Sequence, residues 1–75
     1  MQEKIKKIWT SLDSESKERA IKEIKEAFPD ANSESSIKQN WFYKNSIPSD
    51  KEARVYLILK SNMVKQLNKL TNLIN

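Results

Sequence analysis

The sequence predicts an all-α fold, a small bundle of four to five helices, from three observations. Apolar residues recur at helical spacing in several separate stretches, as they do at Ile5, Ile8, Trp9 and Leu12. Helix-start residues and two prolines separate these stretches. No convincing pair of strands accompanies them. With 75 residues, the chain is expected to form a single domain, residues 1–75.

The first two helices are predicted at residues 2–12 and 15–28. The apolar stripe of the second consists of Ala20, Ile21, Ile24, Ala27 and Phe28. Asp13 or Ser14 is expected to cap this helix, because a short polar side chain at that position accepts a hydrogen bond from a free backbone N–H group. Pro29 ends it, since the residue before a proline avoids the helical conformation.

A third helix is predicted over residues 34–44, with Asn32 or Ser33 as its cap. Its apolar anchors, Ile37 and Trp41, are four residues apart, and in an α-helix they lie within about 40° of each other, facing the core. The opposite face then carries amide, hydroxyl and aromatic groups, from Ser35, Gln39, Phe42 and Tyr43. Such a face is unusual for simple contact with solvent.

A fourth helix is predicted to begin near Asp50, because Ser49 and Glu52 have the spacing of a capping box. The run VYLIL at residues 55–59 would also suit a buried strand, but the capping box favours a helix. Ala53, Tyr56, Leu57, Lys60 and Val64 can share one face of this helix. One core is predicted to hold Ile8, Trp9, Leu12, Ile21, Ile24, Phe28, Ile37, Trp41 and Leu57.

The C-terminal stretch, residues 62–75, has two interpretations. Ser61 and Asn62 are poor helix formers and indicate a break before a fifth helix. Beyond them, apolar residues follow at steps of four, three and four, at Met63, Leu67, Leu70 and Ile74. This stripe either packs on the core or, as a dimerisation helix, pairs with a second copy in the manner of a coiled coil.

The composition excludes several classes of site. The chain contains neither cysteine nor histidine, so it offers no disulfide, no cysteine-based zinc site and not the commonest general base. We therefore expect no enzyme, no cofactor and no bound metal. The longest apolar run, residues 55–59, is far too short to span a membrane, and the N-terminus lacks the apolar segment of a secretory signal. The expected location is the cytoplasm.

The charge is distributed unevenly. The formal net charge is +4, but residues 1–37 hold seven basic and eight acidic groups, whereas residues 38–75 hold seven basic and two acidic groups. A basic half-chain favours an anionic partner, with nucleic acid first. The alternative is an ordinary lysine-rich surface in contact with solvent.

Helices two and three, with their short connection, suit a helix-turn-helix, in which the second helix lies in the major groove of double-stranded DNA. Gln39 would bond adenine, Ser35 a base or a phosphate, and Phe42 a thymine methyl group. Phosphate contacts would position the protein on the duplex without specifying its sequence. The phosphate-binding residues would be Lys38, Tyr43, Lys44 and Asn45.

Four features of this region, Trp41, the loop 44–46, Pro48 and Arg54, resemble the Cro/repressor-like helix-turn-helix family of phages and bacteria. The likeness covers about a third of the chain. It implies a transcriptional regulator of a kind that often dimerises. Two features differ from the family pattern. The turn before the third helix lacks the usual glycine, and residues 30–32 stand there with Asn32 as the residue best suited to a left-handed conformation. The tryptophan follows the inward aliphatic residue by four positions instead of three.

A small helical protein-binding module, such as a phage-encoded inhibitor of a host protein, is the alternative function. Phe42, Tyr43 and the C-terminal apolar stripe would then form the contact surface. The two functions differ in salt dependence, because DNA binding weakens steeply and log-linearly as salt rises.

Overall fold

The computed structural model describes residues 2–31 and 33–74, with the backbone alone for Ile74. Its helices are α1 (Gln2–Ser11), α2 (Ser14–Ala27), α3 (Glu34–Ile37) with a π-helical continuation (Lys38–Tyr43), a 3-10 turn (Ser49–Lys51) and α4 (Glu52–Ile74). We call α3 with its continuation the third helix, residues 34–43. The all-α prediction is confirmed for this part of the chain, which forms four helices and no strand. None of the described helices has the length and hydropathy needed to cross a bilayer.

Two of the predicted caps form. A carboxylate oxygen of Asp13 accepts a hydrogen bond of 2.8 Å from the backbone N–H of Ser16 at the start of α2. This bond lowers the pKa of the Asp13 carboxyl group, because it stabilises the ionised form. The hydroxyl oxygen of Ser33 accepts one of 3.3 Å from Ser36. The other candidate cap of the third helix, Asn32, lies outside the described residues.

Helix α4 runs along the longest dimension of the molecule. At 1.5 Å per residue its 23 residues account for about 35 Å of the 41 Å length. Helix α1 runs parallel to α4. At their N-terminal ends the Gln2 amide donates a hydrogen bond to the Glu52 carboxylate, and further along the Gln66 amide donates one to the carbonyl of Ser11. Helix α2 runs antiparallel, with Glu15 paired to Lys69.

The core lies between α1, α2, α4 and the third helix. Its buried apolar residues are Ile5, Trp9, Leu12, Ala20, Ile21, Ile24, Ile37, Phe42, Ile47, Val55 and Leu59. Ile8, Phe28 and Trp41, which were predicted to be core residues, are only partly buried and pack against this cluster.

The prediction that Leu57 is a core residue is wrong. The Leu57 side chain is 58% exposed, whereas Val55 and Leu59 are fully buried. The error has a simple cause. Every residue of the run 55–59 is apolar, so hydrophobic periodicity does not define which side of the helix faces inward.

The predicted break at residues 61–62 is also wrong, because α4 continues through it. Asn62 is fully buried, and all its polar atoms are bonded. Its amide nitrogen donates to the carbonyl of Ile58, 2.8 Å away, and to the carboxylate of Glu23, 3.1 Å away. Its amide oxygen accepts from the guanidinium of Arg19 at 2.6 Å. A residue that favours loops on its own is therefore stabilised in a helix by bonds to α2.

The capping box at Ser49 does not form, although a helix does begin there. Pro48 precedes the 3-10 turn, and no side-chain cap bond is made at this end. The carboxylate of Glu52 instead accepts a bond of 3.2 Å from the side-chain amide of Gln2 on α1.

Candidate nucleic-acid interface

Three exposed side chains, Ser35, Gln39 and Tyr43, lie four residues apart along the third helix. Tyr43 is 60% exposed. Ile37 and Phe42, both almost fully buried, pack this helix against the core. These three polar or amphipathic side chains are therefore presented together on a helix whose opposite side is held in the core.

Phe42 does not belong to this exposed row, so its predicted contact with DNA is wrong. Its side chain is only 4% exposed. Its ring stacks on Trp9 of α1, with 4.1 Å between the ring centroids and 10° between the planes. Trp41, predicted as the inward anchor, is half-buried and meets Phe28 edge-on at 6.2 Å.

The π-helical hydrogen bonding explains why Phe42, and not Trp41, faces the core. A π-helix bonds residues five apart instead of four, as in the bond of 3.1 Å from the N–H of Lys44 to the carbonyl of Gln39. Ile37 and Phe42, five residues apart, then share one side. The wider turn also allows the adjacent rings of Trp41 and Phe42 to contact the body together.

The residues flanking the exposed row are partly covered. Lys38 and Asn40 are half-buried. Lys38 lines an open cleft of about 650 Å³ between α2 and the third helix, together with Ser35 and three basic residues of α2, Lys17, Arg19 and Lys22. Three glutamates line the same cleft, Glu15, Glu18 and Glu34, so the cleft is close to neutral and does not by itself favour an anion.

The loop after the third helix carries the two remaining predicted contacts, Lys44 and Asn45, and both are exposed. Asn45 has φ of 55°, the one positive value among the described non-glycine residues. The backbone N–H of the following residue, Ser46, donates a hydrogen bond of 2.9 Å to the carbonyl of Asn40 at the end of the helix. Asn45 therefore has a conformational role that the sequence did not indicate, because Asn tolerates the left-handed region better than most residues.

We expect Asn45→Gly to unfold at the same denaturant concentration as the parent or a higher one, because glycine enters the left-handed region without steric cost. Asn45→Ala should lower the free energy of unfolding by about 1 kcal/mol, since a Cβ without a compensating polar group is disfavoured there. Urea unfolding of both variants measures the difference. Equal stability of the alanine and glycine variants would contradict the left-handed conformation at this position.

The turn between α2 and the third helix is held by a lysine. The ammonium group of Lys25 donates to the carbonyl of Pro29 at 2.9 Å and to that of Ala31 at 2.6 Å. A cation in the last turn of a helix is a common partner for free carbonyls, and that position was the available signal in the sequence. Asn32, expected to take the left-handed conformation in this turn, lies outside the described residues.

A second, smaller cavity lies beside Trp41. It has a volume of about 450 Å³ and is lined mainly by Phe28, Trp41, Pro29 and Pro48, with Lys51 at its rim. The Lys51 ammonium lies 5.5 Å from the centre of the Phe28 ring. The cavity is thus a depression of mixed polarity, with Asp30 and Lys51 among its lining residues, and it contains none of the exposed polar row.

The basic groups differ in how they are paired. Lys65 and Lys69, on the C-terminal half of α4, form ion pairs of 3.7 and 2.7 Å with Glu23 and Glu15 of α2. Within the part of the chain that the structure describes, no such pair involves Lys38, Lys44 or Arg54. These three side chains therefore keep their charges free of direct ion pairs among the described residues, although Lys38 shares its cleft with glutamates.

A metal centre finds no support in the described ranges, where no group of three or more carboxylates is placed to hold an ion. The groups that can act chemically at the candidate interface are an amide, hydroxyls and ammonium groups. These donate and accept hydrogen bonds or attract anions. The chain matches no protein-family model, no curated protein and no solved structure.

Proposed function

We propose that the protein is a small sequence-specific DNA-binding regulator of transcription, of bacterial or phage origin, and not an enzyme. In this proposal α2, the turn held by Lys25 and the third helix act as a helix-turn-helix, and the third helix lies in the major groove. The observation that carries it is the exposed row of Ser35, Gln39 and Tyr43, accompanied by basic groups that form no ion pair with the described part of the chain. DNA as the partner implies the cytoplasm of a bacterium or of a phage-infected cell.

The residues have different proposed tasks. Gln39, at the centre of the row, would form the paired hydrogen bonds that an amide makes with adenine, and Ser35 would bond a base or a phosphate. Tyr43, Lys38 and Lys44 would bind phosphates at the edges of the groove. Asn45 contributes mainly through the shape of the loop. Homodimerisation belongs to the same proposal, because it would provide two such helices for one binding site.

Gln39→Ala and Lys44→Ala are expected to weaken DNA binding in different ways. The preferred duplex is first obtained by selection from random sequences. Gln39→Ala should then cost about 1–3 kcal/mol on that duplex and relax the preference at one base pair. Lys44→Ala should weaken binding to all duplexes about equally and reduce the slope of log K against log salt by about 1. Fluorescence anisotropy of labelled duplexes over a salt series measures both effects.

The matched control is Lys69→Ala. This lysine is already paired with Glu15 within the chain, so the variant should leave the slope of log K against log salt unchanged. All three variants should melt close to the parent. Absence of duplex binding at low salt, or unchanged binding by both Gln39→Ala and Lys44→Ala, would refute the major-groove assignment.

A protein-binding module is the second candidate, and one observation favours it. Helix α4 carries several exposed large apolar residues, and Tyr43 adds another on the third helix. Exposed apolar patches of this kind mark protein contacts. Phe42 was predicted to belong to this contact surface, but it is buried and not accessible to a partner. Binding that persists without loss at high salt and that requires no DNA would support this candidate instead.

A further inference from the structure

Helix α1 contacts the chain on both sides of the loop that follows the third helix. Near the C-terminal end of α1, the ring of Trp9 stacks on that of Phe42, with 4.1 Å between the centroids. At the N-terminal end, the side-chain amide of Gln2 donates a hydrogen bond of 3.5 Å to the carbonyl of Ile47. Residues 43–46 therefore span the side of α1 between Gln2 and Trp9, a distance of about 10 Å along the helix.

Lys6 lies on this side of α1, and Lys4 does not. At about 100° per residue, Lys6 is about 40° around the helix from Gln2 and about 60° from Trp9. Lys4 is at least about 140° from both of them. Both lysine side chains are exposed. The ammonium group of Lys6 is therefore available at the edge of α1 that borders the loop, and that of Lys4 at the opposite edge.

The loop supplies a second ammonium group at this edge. Lys44 is exposed, and it directly follows Tyr43, the last residue of the exposed row. Among the described residues, neither Lys6 nor Lys44 forms an ion pair. Two carboxylates belong to the same region, Glu3 and Glu52, and Glu52 accepts a hydrogen bond from another side chain of α1. An anion at the Tyr43 end of the row therefore meets two ammonium groups that no carboxylate of the described chain engages.

We propose that α1 is part of the DNA interface and that the Lys6 ammonium binds a phosphate of the strand that Lys44 also contacts. This inference rests on the proposed binding of DNA by the third helix, and it adds an element outside the helix-turn-helix. When the exposed row lies in the major groove, the loop that ends the third helix leaves the groove beside a sugar-phosphate backbone. Lys6 stands next to that loop, and the flexible four-carbon stem of a lysine lets its ammonium reach a phosphate oxygen.

The contact positions the third helix and reads no base. Helix α1 and the third helix are joined by the stack of Trp9 on Phe42, in which both side chains are almost fully buried. A phosphate held by Lys6 therefore fixes the position of Gln39 relative to the base pairs through a buried aromatic contact. Lys6 is for this reason a positioning residue, in contrast to the base-reading role proposed for Gln39.

Lys6→Ala and Lys4→Ala are the matched pair that tests this contact by fluorescence anisotropy over a salt series. Both remove one exposed ammonium group from α1, and both should melt close to the parent because alanine is a good helix former. On the selected duplex, Lys6→Ala should bind about fivefold to tenfold more weakly at about 0.1 M salt and lower the slope of log K against log salt by about 0.9. Lys4→Ala should bind like the parent, and Lys6→Arg, which keeps the charge, should restore the slope.

Duplexes with one neutral methylphosphonate in place of a phosphate locate the contact. When both strands are scanned, one position should weaken binding of the parent but not of Lys6→Ala, because that variant has already lost the same interaction. The corresponding position for Lys44→Ala should lie close to the first and on the same strand, because the loop and Lys6 occupy one edge of the molecule.

The outcomes separate this inference from the proposed function. If the parent binds the duplex, a loss for Lys4→Ala that equals or exceeds that for Lys6→Ala, or no loss for Lys6→Ala, refutes the contact by α1 and leaves the major-groove assignment standing. A Lys6 position on the strand opposite to that of Lys44 also refutes the arrangement. A parent that binds no duplex at low salt refutes both.

Discussion

Phe42→Ala is expected to lower the free energy of unfolding by about 3–5 kcal/mol, the range for truncating a buried aromatic residue. The ring is 4% exposed and stacks on Trp9 at 4.1 Å. Removing it deletes this stacking and leaves a cavity between α1 and the third helix. Urea unfolding monitored by circular dichroism gives the difference, and is preferable to tryptophan fluorescence because Trp9 contacts the mutated site.

Two neighbouring residues provide the controls. Tyr43 is the next residue and is exposed, so the free energy of unfolding of Tyr43→Ala should be within about 0.5 kcal/mol of that of the parent. Trp41→Ala should cost less than Phe42→Ala, because Trp41 is half-buried at the rim of the smaller cavity. A larger loss for Trp41→Ala than for Phe42→Ala would show that the third helix follows the α-helical register, with Trp41 inward.

Asn62→Ala is expected to have the second largest effect on stability, about 2–4 kcal/mol, because it removes hydrogen bonds to two charged groups. The substitution removes the shorter of two hydrogen bonds of the Arg19 guanidinium, which also donates to Ser16 at 3.5 Å. It also removes one partner of the Glu23 carboxylate, which remains paired with Lys65. Both are charged groups between α2 and α4, and a hydrogen bond to a charged group contributes more to stability than an ordinary one. Chemical denaturation of the variant measures the loss.

The adjacent residue is the control for Asn62. Ser61 is exposed on the same turn of α4, and Ser61→Ala should be neutral or slightly stabilising because alanine is the better helix former. Equal, small effects of both substitutions would indicate that the polar network contributes little. A double variant of Asn62 and Arg19 would then show whether the two losses are additive.

The candidate interface was predictable where local rules apply. The α-helical periodicity placed Ser35, Gln39 and Tyr43 on the outside, and the structure exposes all three. It also placed Phe42 with them, and this was wrong because periodicity assumes 3.6 residues per turn throughout the helix. The role of Lys25 was missed because its two carbonyl partners are brought within reach only when the turn folds.

Local sequence patterns predicted the helical class and the boundaries of the first three helices to within a residue or two. They also narrowed two caps to pairs of neighbouring residues that include Asp13 and Ser33. Each depends on interactions between residues a few positions apart, such as the bond from the Ser16 amide to Asp13. An apolar stripe likewise identified the inward side of α1 and α2, because polar residues separate the apolar ones there.

Three features depend on contacts between helices: the register of residues 38–43, the inward side of the run 55–59 and the continuity of α4 through Asn62. In each case the local pattern is compatible with two arrangements. Stacking of Phe42 on Trp9, burial of Val55 and Leu59, and the bonds of Asn62 to α2 select one of them. These contacts join residues far apart in the chain, and for this reason periodicity within one segment does not contain them.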